Sequence, residues 1–260
     1  MFKQGVLIVI VLFVLVFAGV AHATPWQTEP KFELEGIWWF SNLNANINVG
    51  SNINVKSNLG LTDSQFAEGR LTWYINDNHR IRFGYAHISN DGSKTVQSEF
   101  VFNGVTYPVG ARINSSLDFT YTRLGWTWQF INIANNTFKF GPMLDFDWFI
   151  LDPKINGTLK IDSSKAQLEA ERKFNLILPT IGLAADCNPI KYVNIFADAS
   201  GIMSGKYGYM ADAEIGVKVI PIKWFSIVGS YRYMELKAKD GVNTAKVTYN
   251  GPYFGLTFRY

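Results

Sequence analysis

The sequence predicts an all-β chain that closes into an antiparallel, up-and-down transmembrane β-barrel, and three observations carry that expectation. Apolar and polar residues alternate with a period of two in segment after segment. Aromatics make up 15% of the chain and charged residues only 17%. Beyond residue 23, no apolar run is long enough for a membrane-crossing helix. Period-two alternation puts one set of side chains on each face of a strand. A helix needs about 20 apolar residues to cross hydrocarbon, whereas a tilted strand crosses with about 9 to 11. Soluble domains ordinarily carry about 25% charge, so this composition suits strands with one face in lipid and aromatics at their ends.

Residues Met1 to Ala23 read as a cleaved secretory signal: Lys3, an apolar run from Val6 to Val20, then the small-x-small site Ala21-His22-Ala23. Residues 24–260 are then a single barrel domain. No cysteine adjoins the cleavage site, so no lipid-modified N-terminus is expected. Losing Lys3 takes the formal charge from +3 to +2, which leaves no basic excess pointing to nucleic acid. Cys187 is alone, so it reads as a small buried or lipid-facing thiol. After cleavage only His79 and His87 remain, at opposite ends of one strand, and no glycine-rich phosphate loop precedes a helix. Neither a metal site nor a cofactor is expected.

The strands follow in order. Strand one turns Phe32, Leu34, Trp38 and Phe40 to lipid, strand two Leu71, Trp73 and Ile75, and strand three Ile81, Phe83 and Tyr85. Strand four supplies Leu124, Trp126, Trp128 and Phe130, and strand five Phe138, Phe140, Leu144, Phe146, Trp148 and Ile150. Strands six and seven, Phe174 to Cys187 and Tyr192 to Met203, alternate less cleanly, which leaves eight strands as the alternative count. Strand eight sets Tyr209, Ala211, Ala213, Ile215, Val217 and Val219 against Asp212, Glu214, Gly216 and Lys218. Strand nine sets Phe225, Ile227, Gly229, Tyr231 and Tyr233 against Ser226, Ser230 and Arg232. The last strand places Phe254, Leu256, Phe258 and Tyr260 on one face. This alternating aromatic terminus resembles the C-terminal signal of Gram-negative outer-membrane barrels. The resemblance implies recognition by the barrel-assembly machinery and residence among outer-membrane lipids, including lipopolysaccharide.

Four short connections fit the periplasmic side: Asn76 to His79, Asn132 to Thr137, and the near-copies Asn188-Pro-Ile-Lys-Tyr192 and Ile220-Pro-Ile-Lys-Trp224. Proline, a base and an interfacial aromatic suit a rim where strands reverse without every ladder bond. Four short turns imply five long extracellular loops, near Ser41 to Phe66, Asn90 to Leu117, Asp152 to Lys173, Ser204 to Gly208 and Ala238 to Ala245, and hence ten strands. A tandem hexapeptide, Asn46-Ile-Asn-Val-Gly-Ser51 followed by Asn52-Ile-Asn-Val-Lys-Ser57, extends strand one beyond the membrane. Asn103-Gly104 between two β-prone triplets is a two-residue hairpin signal and predicts an extracellular β-arm, a candidate for adhesion. Ser164 and Gln167 have capping-box spacing, which offers one or two helical turns over Ser164 to Arg172.

The inward faces carry Glu33, Glu35, Asp145, Asp147, Asp186, Asp198, Asp212 and Glu214 against Arg70, Arg80, Arg82, Arg123, Lys139, Lys218, Arg232 and Arg259. Side chains just fill an eight-stranded barrel, and wide aqueous channels belong to about 16 strands or more. A ten-stranded lumen is thus expected to hold a partly wet ion-pair network, with a narrow passage for a small solute at most. The paired carboxylates Asp145/Asp147 and Asp212/Glu214 invite comparison with omptin proteases, but no histidine follows His87 to complete that site. His87-Ile-Ser89-Asn90 resembles the His-x-Ser-Asn element of lipid A 3-O-deacylases. That resemblance implies His87 as base and Ser89 as nucleophile, with Glu99 as a third member. Two readings follow. One is a narrow porin-like channel or a surface-exposed structural or binding barrel; the other is a lipid-modifying enzyme using His87 and Ser89.

Overall fold

The computed structural model describes residues 30–133, 136–161, 164–204 and 208–260. The leader and most of the Ser204 to Gly208 loop lie outside them. Ten long strands form the wall: β1 (Phe32–Asn48), β2 (Ser64–Asn76), β3 (His79–Thr95), β4 (Arg112–Trp128), β5 (Phe138–Ile161), β6 (Phe174–Ile190), β7 (Val193–Ser204), β8 (Gly208–Ile222), β9 (Phe225–Asp240) and β10 (Asn243–Arg259). Each pairs antiparallel with the next, and β10 returns to β1, so Trp38 has Phe254 on one side and Ala67 on the other. The ring is closed at ten strands, not eight. Asp77-Asn78, Lys191-Tyr192 and Lys223-Trp224 are the tight reversals, as the two proline repeats suggested. Ile131–Ile133 pairs with the start of β5, burying Phe138 where a lipid-facing side chain was expected.

The alternation changes phase along the barrel. In its lower part the apolar residues face out: Phe32, Leu34, Trp38 and Phe40 on β1, Ile227 and Tyr231 on β9, Phe254, Leu256 and Phe258 on β10. Higher up the same strands turn their apolar residues inward: Leu43, Ala45 and Ile47; Met234, Leu236 and Ala238; Tyr249, Val247 and Ala245. Below the switch lipid solvates the outside, and above it water does. The barrel is therefore a membrane protein at its base and a water-soluble β-barrel with an apolar core at its top.

This extension corrects several expected loops. β9 and β10 run on until only Gly241 and Val242 separate Asp240 from its partner Asn243, so no long loop spans Ala238 to Ala245. β5 continues to Ile161, and Ser164–Glu171 pairs back on it as an extended strand, not a helix. The hairpin Phe100–Phe102/Val105–Tyr107 forms through Asn103 and Gly104, whose φ angles of 46° and 82° are those of a primed turn. It is no projecting arm. Phe102 is 1% exposed and Tyr107 fully buried, the Tyr107 hydroxyl donates to the Ile155 carbonyl at 2.8 Å, and Asn103 Nδ2 donates to the Glu171 carbonyl at 2.8 Å. The hairpin is folded into the barrel mouth as a plug.

The tandem hexapeptide completes the plug. Its first copy ends β1; its second opens as Asn52–Asn54, paired back on β1, and continues into a single helical turn, α1 (Val55–Leu59). The Asn54 side chain accepts from the Ser57 amide, and Gly60 ends the turn at φ 75°. A Cβ on Gly92 would sit 2.6 Å from the Gly60 carbonyl oxygen, so β3 reaches this turn only through glycine. Val55, Leu59 and Leu61 enter the core. The segment is pinned by Asp63, which accepts from the Leu43 amide at 2.7 Å and pairs with Lys56 at 2.6 Å.

Desolvation raises the Asp63 pKa, but the Lys56 hydrogen bond and the Leu43 amide outweigh it and hold the carboxyl below its usual 3.8. The small stabilisation is therefore present above about pH 4 and lost as pH falls through the depressed value. Lys56→Ala is expected to shift the Asp63 carboxyl resonance midpoint upward in ¹³C NMR; an unmoved midpoint would contradict the pairing.

Candidate functional site

The interior divides into three layers, and every charge expected in the lumen points into it. At the end closed by the short turns, Glu33 accepts from Lys218 at 2.9 Å, Arg259 at 2.8 Å and the Tyr74 hydroxyl at 3.0 Å. Arg80 bridges Asp186 at 3.1 Å and Asp198 at 3.3 Å, Arg82 joins Asp198 at 3.0 Å, and Lys139 donates to the Asp77 carbonyl at 2.9 Å. A polar cavity of about 60 Å³ lies among these groups, room for a few waters. Gln129 also donates to Asp186.

The middle layer is a continuous network across the lumen. Arg232, 1% exposed, forks onto Asp212 at 2.9 and 2.7 Å and reaches Glu68 at 2.7 Å, with its guanidinium 5.0 Å from the Trp39 ring centre. Arg70 forks onto Glu214 at 3.0 Å, donates to Glu68 at 2.6 Å and stands 3.6 Å from Glu35. Arg123 ties Asp147 at 2.7 Å to Asp212 at 2.8 Å, with Asp145 at 3.7 Å. Burying charges is costly unless each is paired, and here the bases Arg70, Arg123 and Arg232 on β2, β4 and β9 meet acids on β1, β2, β5 and β8.

Glu68 was absent from the sequence reading, which ended the loop at Phe66, placed strand two by Leu71, Trp73 and Ile75, and took Arg70 as its inward charge. Its spacing two residues before Arg70 was the available signal. Above the network comes the third layer, the apolar core of Leu43, Ile47, Phe102, Phe119, Phe149 and Tyr249, closed by the hairpin and α1. No group of three or more His, Cys, Asp or Glu side chains capable of holding a metal occurs among the described residues.

On the outer wall, His87 and Ser89 face outward from β3 just above Tyr85, as expected. They are not brought together as a triad. His87 Nδ1 lies 3.0 Å from Thr120 Oγ1, while Ser89 Oγ donates to Asp118 Oδ1 at 2.7 Å. The acid beside Ser89 thus comes from β4, and Glu99 stands exposed on the segment leading into the hairpin. A serine whose proton is held by a carboxylate, with the imidazole turned to a threonine, lacks the nucleophile-to-base contact of acyl-transfer chemistry. Ser89→Ala and His87→Ala are each expected to leave lipid A acylation unchanged by mass spectrometry. A deacylated species that vanished in either variant would restore the catalytic reading.

A closed ten-stranded antiparallel barrel with an apolar outer belt and a polar, ion-paired base has the architecture of the small outer-membrane β-barrels. Among solved structures, the chain superposes on the outer membrane protease OmpT from Escherichia coli with a TM-score of 0.62 at 7% identity, covering 91% of this chain and 99% of that one. The translocator domain of the autotransporter NalP from Neisseria meningitidis gives 0.42 at 12% identity, over 94% and 92%. Ail, the attachment invasion locus protein of Yersinia pestis, gives 0.34 at 10%, over 90% and 100%. No protein-family model matches the sequence, and no curated protein matches it. The likeness to OmpT is one of fold: Asp145, Asp147, Asp212 and Glu214 are sunk in the lumen against arginines.

Proposed function

We propose that the protein is a sealed outer-membrane barrel that works through its exposed surfaces, as a structural or binding protein and not as a porin-like channel. The observation that carries this reading is the double closure of the lumen. The Arg70–Glu68–Arg232–Asp212–Arg123 network fills the midplane, and an apolar plug fills the mouth. A permeating solute would have to break ion pairs and then traverse a dry core. The leader ending at Ala23 delivers the chain for export, and the strand ending Phe254, Leu256, Phe258 and Tyr260 presents the signal for barrel assembly. Both steps are part of the proposal.

Liposome swelling tests it. Vesicles carrying the purified barrel are expected to swell in an isosmotic small sugar no faster than empty vesicles. Swelling that scales with the amount of barrel would overturn the reading.

A further inference from the structure

The outward side chains of the hexapeptide's first copy, Asn46 and Asn48, and the basic wall beside them take no part in the plug. Above the apolar belt, Lys237 of β9 and Lys246 of β10 occupy directly opposed positions, with Lys239 two residues further on the same face. Like charges directly opposite in a sheet destabilise it unless something compensates them. Beneath them Glu235 bonds Lys246 at 3.1 Å, but it also accepts from the Tyr209 and Tyr233 hydroxyls at 2.6 and 2.7 Å. Among the described residues no carboxylate pairs with Lys237.

The row continues sideways. Lys246 pairs with Asn46, and β1 presents Asn42, Asn44, Asn46 and Asn48 outward while Leu43, Ala45 and Ile47 fill the core. The alternation of β1 into the hexapeptide therefore builds an amide ladder beside a lysine pair, just above the aromatic edge at Tyr231 and Tyr233. That is headgroup depth. The opposite wall carries Asp118 and Asp152 at paired outward positions, where Lys154 already bridges Asp152 at 3.3 Å.

We infer that the outer wall of β9, β10 and β1 binds the phosphorylated sugar headgroup of an outer-leaflet glycolipid, with a phosphate between Lys237 and Lys246 and the sugar against the asparagine ladder. Phosphate supplies the missing counter-charge, and amides match sugar hydroxyls as both donor and acceptor. The inference rests on the chain's placement in an outer membrane and is independent of whether the lumen conducts.

Native mass spectrometry of the purified full barrel tests it, with bisphosphorylated lipid A, fully dephosphorylated lipid A and phosphatidylglycerol as probes. Tightest binding is expected for bisphosphorylated lipid A. The Lys237→Gln/Lys246→Gln variant should bind it about thirtyfold more weakly, given the usual contribution of a base at an anionic surface. The periplasmic-rim variant Lys191→Gln/Lys223→Gln, which removes the same charge, should bind as wild type. Should the first variant fail to give the heat-modifiable gel shift of a folded barrel, the three probes on the wild type decide alone. Equal binding of dephosphorylated lipid A, or unchanged binding by a folded double variant, overturns the site. Equal binding of phosphatidylglycerol overturns the sugar half of it.

Discussion

Replacing Arg232 with methionine should cost about 3 kcal/mol of folding free energy, the lower end of what breaking one partner out of a buried charge network costs. Arg232 touches Asp212, Glu68, Tyr121 and Trp39 at once. Methionine fills much of the stem's volume but leaves Asp212 with Arg123 and Glu68 with Arg70 as their only bases. Arg232→Lys should recover part of the loss, since it restores charge without the planar fork that matches Asp212. Urea unfolding in phospholipid vesicles, followed by tryptophan fluorescence, reads both variants. A methionine variant within about 1 kcal/mol of wild type would mean that the midplane network is not a structural closure.

Phe102→Ala should cost about 3–5 kcal/mol, the range for emptying a packed aromatic site. Its ring sits in the plug's core, next to an isolated bridge between its own backbone and Gly50. The loss is local in origin. Hydrogen exchange should accelerate across Phe100–Tyr107 and α1 while amides of the membrane belt, such as Ile227 to Tyr231, keep their protection. Unchanged exchange in the hairpin would show that it is not anchored by Phe102.

The strands were legible because alternating aromatics meet lipid in the belt, and the proline-containing turns were legible because they lie on the periplasmic rim. The extracellular half was misread for a physical reason. Where β1 passes from Phe40 to Leu43, the apolar residues change from the outward to the inward set, and there the hexapeptide's own alternation still marked the strand's extension. β9, β10 and β5 switch in the same way, which turned their upper halves into expected loops. The inward charges were legible from strand phase, but their pairing was not, because Arg232 and Glu68 meet across 164 residues of chain. Ser89 and His87 show the converse: proximity in sequence put them on one face, and their neighbours on β4 gave each a different partner.

Planar-bilayer recording on the intact barrel tests the central claim most directly. With Arg232, Arg70 and Arg123 bridged across the midplane and the hairpin seated above them, insertion of the wild type should produce no discrete conductance steps at moderate voltage. The Arg232→Met variant should at most leak. Stable, ion-selective steps from the wild-type barrel would show that water and ions pass the network, and would contradict the sealed lumen.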